Sequence, residues 1–221
     1  GEVRAHNAAR CAVEIAVIDA VLRASGKGLH DLLAPKIETV TYSGVVTAGS
    51  LESAATRARQ FLRIGLNHIK VKVGREDTVD RVAAVRKEVG QEAIIRIDAN
   101  AVWDMATATE MLTALEPFNI ASCEEPLAAQ SWGDLAKLRE CVSVPLMADE
   151  SLVTASDAHQ LVKHNAIDLF NIRLSKCGGL GPCLELASYA REHGLGYQLG
   201  AHVGETAILS ATGRHFAAHL G

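Results

Sequence analysis

Residues 93–100 read Ala-Ile-Ile-Arg-Ile-Asp-Ala-Asn: a β-branched run of strand length that stops at an acid, Asp98, followed by Asn100. Similar units flank it at nearly constant distance. Before it stands Lys70-Val71-Lys72, and after it come Glu124-Glu125-Pro126, Asp149-Glu150-Ser151 and Lys176-Cys177-Gly178-Gly179. The steps from 72 to 98, 98 to 124, 124 to 149 and 149 to 176 are 26, 26, 25 and 27 residues. A strand of about five or six residues, a helix of about ten to twelve and two loops fill such a step. Each step is therefore one βα unit, and each charged signature follows a strand. Regular alternation of strand and helix implies a parallel sheet. In a (β/α)-barrel all strand C-termini open on one face, which carries the active site. Five motifs distant in sequence thereby become one ring of charge.

Outward from this stretch, strands are predicted at 37–43, 68–73, 93–98, 120–124, 144–149, 167–173 and 196–200. Helices are predicted at 77–89, 105–116, 132–140, 155–163, 181–193 and 206–219. Ser50 or Ser53 is expected to cap a helix that runs to about Ile64, before Gly65. Residues 6–25 carry Ala9, Ala12, Val13, Ala16, Val17, Ala20 and Val21 at helical spacing, with Gly26 as the stop. This first helix has no partner layer of its own in the pattern, so its apolar face is expected to be exposed. Pro145 opens a strand, where a missing N–H is tolerated.

Composition excludes several classes. With 221 residues, 48% of them hydrophobic, the chain holds a sizeable core and is not disordered. A net charge of -4 without a basic stripe argues against nucleic acid. Glu14 and Asp19 interrupt the first apolar stretch, so no membrane span is expected, and the polar start does not read as a secretory leader. Five cysteines without C-x-x-C spacing read as reduced thiols of a cytoplasmic enzyme, Cys177 among them as a small buried apolar residue.

Asp98, Glu124 and Asp149 end three consecutive strands and should converge. Three carboxylates without a counter-ion repel one another, and a divalent cation resolves the repulsion. All-oxygen ligation without His or Cys points to Mg²⁺, with Mn²⁺ as the alternative. Taken singly, each acid reads first as a cap for the helix that follows. Lys70 and Lys72 lie two apart on a strand and face the same side. A buried ammonium is costly, and the like charge of Lys70 favours at Lys72 the neutral amine that serves as a general base. Lys176 ends the sixth strand in this reading and meets a substrate from the other side.

The order K-x-K, D-x-N, E-x-P, A-D-E and K-x-G-G resembles the enolase superfamily, in its muconate-lactonizing-enzyme and mandelate-racemase-like branches. Residues 8–33 look like the family's last cap-domain helix leading into the barrel, and residues 200–217 are similar to its seventh-strand segment. The resemblance implies a parallel α/β barrel of the TIM type in modified (β/α)7β form. Residues 1–34 would be the terminal helix of an N-terminal cap domain, and residues 35–221 the barrel with strands 1–7. It also implies that most of the cap and the last strand lie outside this chain.

By the same resemblance Asp98, Glu124 and Asp149 match Mg²⁺ ligands. Lys72 matches a proton-transfer base, Lys70 its electrostatic partner, and Lys176 the acid/base or enolate-stabilising lysine of the opposite face. Glu205, His202 and Asn100 fall near the substrate, and Glu150 and Glu125 support the ligands. Glu125 stands where the family often has Gln, and Arg173 where Lys is common. The implied activity is abstraction of the proton alpha to a substrate carboxylate, giving a metal-stabilised enediolate: racemisation, epimerisation or cycloisomerisation of a small carboxylate, by a full-length protein expected to be a homo-oligomer. His202 as a proton shuttle is less favoured than His202 lining the pocket, because the branch that uses such a His pairs it with Asp rather than with a lysine at 176. His215 and His219 are four apart on a helix but have no third ligand. Two other readings stay open. One is a Schiff-base aldolase using Lys72 or Lys176, and the other is a barrel that binds without turnover.

Overall fold

The computed structural model describes residues 6–47, 49–205 and 207–221. In chain order it contains α1 (Asn7–Ala24), α2 (Leu29–Leu32), β1 (Ser43–Val46), α3 (Leu51–Arg63), β2 (His68–Lys72), α4 (Thr78–Val89), β3 (Ile94–Asp98) and α5 (Met105–Leu115). After a 3₁₀ turn, Glu116–Phe118, come β4 (Ile120–Glu124), α6 (Trp132–Cys141), β5 (Leu146–Ala148), α7 (Ala155–Lys163), β6 (Leu169–Ile172) and α8 (Leu174–Cys177). The chain continues through α9 (Leu180–Glu192), β7 (Gly196–Leu199) and α10 (Ala207–Leu220). The strands follow one another in the sheet in chain order, and the pairs from β1–β2 to β4–β5 are parallel. Alternating strand and helix with this order is the βα repeat that the motif spacing predicts.

Two compact units share the chain. One comprises Thr41–Ser151 and Gln160–Leu169, and the other comprises the residues up to Val40, Leu152–His159 and Phe170–Gly221. In the first, side chains of β2 and β3 alternate between two faces. Ile69, Val71, Ile95 and Ile97 are fully buried, while Lys70, Lys72, Arg96 and Asp98 point to the opposite face. Helix α4 buries Val82, Val85 and Val89 on one stripe. Its Arg86, also buried, donates to the carbonyls of Gly90, Ala93, Phe118 and Asn119, which closes the loop ends there. Ser50 caps α3 by accepting the N–H of Ser53 at 3.1 Å, as its position suggests.

In the other unit, α1 buries Asn7, Cys11 and Ile15. Its second apolar stripe is exposed, with Val13 at 65%, Val17 at 56% and Val21 at 59%. That stripe is the one the helical spacing picks out, so the packed face of α1 is the more polar one.

The first strand lies later than the expected 37–43. The N–H groups of Lys36 and Ile37 donate to the carbonyl of Ala218 at the end of α10, which removes them from any ladder. Pairing with β2 begins only at Ser43 opposite His68. The one-turn helices α2 and α8 are absent from the sequence reading because four residues are too few to show a period.

Candidate active site

Parallel register builds the first part of the site. Lys72 pairs with Asp98 and Asp98 with Glu124, so three charged residues form one row across β2, β3 and β4. A second row beneath it runs Lys70, Arg96, Ser122. Paired residues in a sheet project to the same side, so both rows face the same way. A register irregularity between Ile95 and Arg96 brings β4 into line with the acids. On β5, Met147 pairs with Glu124, and Asp149 follows two residues later on the same face.

Asp98 and Asp149 are fully buried and Glu124 is 2% exposed. The ammonium of Lys70 bridges two of them, at 2.8 Å from Asp98 Oδ2 and 2.7 Å from Glu124 Oε2. Lys72 Nζ lies 3.1 Å from Asp98 Oδ2 and donates to Asn100 Oδ1 at 2.6 Å. Asn100 in turn donates to Glu150 Oε1 at 3.2 Å. Burial pushes the Asp98 carboxyl upward, but the charges and hydrogen bonds of Lys70 and Lys72 together outweigh it and hold the group below its ordinary value. Glu124 ends on the other side of its ordinary value. Burial and the charges of Asp98 and Asp149 raise it more than Lys70 lowers it.

Glu125 does different work. Its carboxylate accepts the backbone N–H of Asp149 at 2.7 Å, the N–H of Ser151 at 3.1 Å and the hydroxyl of Ser151. Burial pushes it up to about 7 against those hydrogen bonds. Ser151 Oγ also accepts the N–H of Gln130 at 3.2 Å. The Glu124-Glu125 turn is thereby tied to the segment that carries Asp149.

The other candidates belong to the second unit. Lys176 does not end a strand. It sits on α8, where Nζ donates to the carbonyl of Asn171 at 2.8 Å. His202 Nδ1 lies 2.9 Å from Ser175 Oγ, beside Lys176 in the chain, and Glu205 Oε1 accepts the backbone N–H of His202 at 2.8 Å. Cys177 is 4% exposed, as expected of a packing thiol. Its neighbour Cys183 is pushed above its ordinary value, first by a hydrogen bond with Cys177 and then by burial. His219 Nδ1 is engaged with the carbonyl of Ala34 at 2.9 Å, while His215 lies near His30, with ring centroids 6.5 Å apart.

The donor chemistry of Asp98, Glu124 and Asp149 fits a hard divalent cation: three buried carboxylates and no soft ligand. Among the described residues, no three His, Cys, Asp or Glu side chains stand in ligating geometry about one point. In this arrangement the lysine ammonium supplies the charge between Asp98 and Glu124. Arg96 and Ser151 escaped the sequence reading. The signal for Arg96 was its place two residues before Asp98 on the same strand face. Ser151 was visible inside its motif but carried no recognisable chemistry.

Comparison with known proteins gives concordant matches. The chain is 35% identical over 194 residues to the D-Ala-D/L-Ala epimerase of Cytophaga hutchinsonii, a match covering 86% of this chain and 53% of that protein. It is 32% identical over 213 residues to the N-succinyl-L-Arg/Lys racemase of Bacillus cereus, covering 95% and 58%. The solved dipeptide epimerase from Cytophaga hutchinsonii, complexed with Mg and the dipeptide D-Ala-L-Val, superposes with a TM-score of 0.89 at 33% identity, over 95% of this chain and 58% of that one. The fold is that of the enolase-superfamily barrels, and the chain spans little more than half the length of the relatives it matches. Residues 53–221 match the family described as Enolase C-terminal domain-like, and the chain belongs to it.

Proposed function

We propose that the protein containing this chain is an isomerase that moves the proton alpha to the carboxylate of a small substrate, and that it acts as an epimerase or racemase of dipeptides or N-acylated amino acids. The observation that carries this reading is the registered row Lys72, Asp98, Glu124 with Lys70 bridging the two acids. Buried acids at strand C-termini have no packing purpose, since desolvating them is expensive. Similarity to an epimerase and a racemase supports the reaction class.

Asp98, Glu124 and Asp149 would hold Mg²⁺, which when bound supplies electrostatic stabilisation of negative charge on the substrate carboxylate. Glu125 keeps the Asp149 segment in place through two backbone N–H groups. Lys72 takes the α-proton from one face, oriented by Asn100 and Asp98. Lys176 delivers a proton to, or takes it from, the opposite face, because inversion at carbon requires an acid and a base on opposite sides. Lys70 offers its positive charge to the developing anion. Glu205 and His202 border the substrate beside Ser175.

The test is proton exchange in deuterated water by the full-length protein, with and without Mg²⁺. The probes are D-Ala-D-Ala, D-Ala-L-Ala and the two enantiomers of N-succinyl-lysine. Mg²⁺-dependent α-exchange supports the reading. Borohydride trapping of a lysine with a carbonyl substrate would favour aldolase chemistry instead.

A further inference from the structure

Helix α1 carries two side chains that the chemistry above does not use, and both reach the turn that holds Lys176. Asn7 is 3% exposed, and its Nδ2 donates to the backbone carbonyl of Lys176 at 2.8 Å. Two turns further along the same face, the Glu14 carboxylate accepts the N–H of Leu180, and of Gly181 at 3.2 Å. These are the first N–H groups of α9, which have no partner inside the helix. An acid placed there also opposes the positive end of the helix dipole. The residue in the N-cap position, Gly179, has no side chain with which to do this. The cap instead comes from a residue 166 positions away.

The two glycines of the K-x-G-G motif follow from these contacts. Gly178 and Gly179 have φ of +97° and +125°, in the region that favours glycine. A Cβ at Gly178 would stand 3.1 Å from Asn7 Oδ1, and one at Gly179 would overlap the Glu14 carboxylate. The motif therefore records the approach of α1 as well as the turn. Lys176 is held at both ends, its Nζ by the carbonyl of Asn171 and its own carbonyl by Asn7.

We propose that Asn7 and Glu14 are positioning residues for Lys176: α1 fixes the turn 176–181 from outside the strand–helix repeat and so sets where the lysine amine stands. This inference rests on the assignment of Lys176 as one of the two acid–base groups. Neither residue touches substrate in this account. Their effect passes through the backbone of one turn.

The experiment uses the full-length protein with Mg²⁺ and whichever stereoisomer pair the parent exchanges faster, D-Ala-D/L-Ala or N-succinyl-D/L-lysine. Exchange of the α-proton in deuterated water is measured separately for each stereoisomer, in Lys176→Ala, Asn7→Ala, Glu14→Ala and Glu14→Gln. Lys176→Ala should stop exchange of one stereoisomer. Asn7→Ala and Glu14→Ala should slow that same stereoisomer by roughly 10- to 100-fold, the effect of a misplacement of about 1 Å, and leave the other nearly unchanged. Glu14→Gln keeps one acceptor oxygen, for the N–H of either Leu180 or Gly181, and should restore part of the loss. If Glu14→Ala fails to fold, Asn7→Ala and Glu14→Gln decide. Equal slowing of both stereoisomers by Asn7→Ala, with Lys176→Ala still selective, overturns this inference alone. Loss of selectivity in Lys176→Ala itself overturns the acid–base assignment and the inference with it.

Discussion

Lys70 Nζ lies 2.7 Å from Glu124 Oε2, although the two residues are 54 positions apart in the chain. They sit on β2 and β4, and β3 between them contributes Asp98 to the same ammonium. One cation thus ties three neighbouring strands at their C-terminal ends. The lysine side chain is 14% exposed and the carboxylates are 3% exposed or less, so the pair is shielded from solvent and salt screening is weak.

Removing one member of such a buried cluster leaves uncompensated charge. Lys70→Met is expected to destabilise the protein by about 3–5 kcal/mol in the presence of chelator. Mg²⁺ in the millimolar range should recover part of that loss if the same carboxylates are its ligands, as proposed. Urea unfolding with and without Mg²⁺ measures both quantities. A variant as stable as the parent in chelator would mean that the lysine does not balance the acids.

Acid sensitivity should trace in part to His68 on β2. Burial first, and the nearby Arg96 second, hold its imidazole below the ordinary value. A depressed folded value means that the unfolded chain binds the proton more readily. The stabilisation is full above about pH 6.5 and is lost as pH falls from there through the folded value. In His68→Gln the melting temperature should therefore fall less steeply between about pH 7 and pH 5.5. A curve parallel to that of the parent would remove His68 as a cause.

The cap of α3 offers a local check. Ser50→Ala deletes the acceptor for the Ser53 N–H and should cost about 0.5–2 kcal/mol, whereas Ser50→Asp should be nearly neutral. Thermal unfolding of the pair measures this, and equal losses in both variants would argue that the contact contributes nothing.

What could be read in the chain, and what could not, divides along range. The βα spacing, the alternation of Lys70, Lys72, Arg96 and Asp98 against Ile69, Val71, Ile95 and Ile97, and the cap at Ser50 are set by near neighbours and by period, and all are visible in the order of residues. The row Lys72, Asp98, Glu124 follows once the units repeat at equal length. Lys70 as a bridge, Glu125 as a clamp on Asp149 and Ser151, and Glu14 as the cap of α9 depend on side chains meeting across 24 to 166 positions. No local pattern encodes such meetings. The exposed apolar face of α1 was legible from its lack of a partner layer, but the identity of its inward contacts was not. Its regular Val13, Val17, Val21 stripe is exposed, while Asn7 and Glu14 are turned inward by what they touch. The start of β1 moved because Ala218, far along the chain, accepts the N–H groups of Lys36 and Ile37.

If Lys72 and Lys176 exchange the α-proton of a small carboxylate from opposite faces, as proposed, each lysine serves one stereoisomer. The most direct measurement is α-proton exchange in deuterated water by the full-length, Mg²⁺-supplied protein and its Lys72→Ala and Lys176→Ala variants, followed separately for each stereoisomer of D-Ala-D/L-Ala and N-succinyl-D/L-lysine. Each variant should abolish exchange of one stereoisomer, a different one in the two cases, while retaining exchange of the other. Undiminished exchange of both stereoisomers in both variants would contradict the proposal.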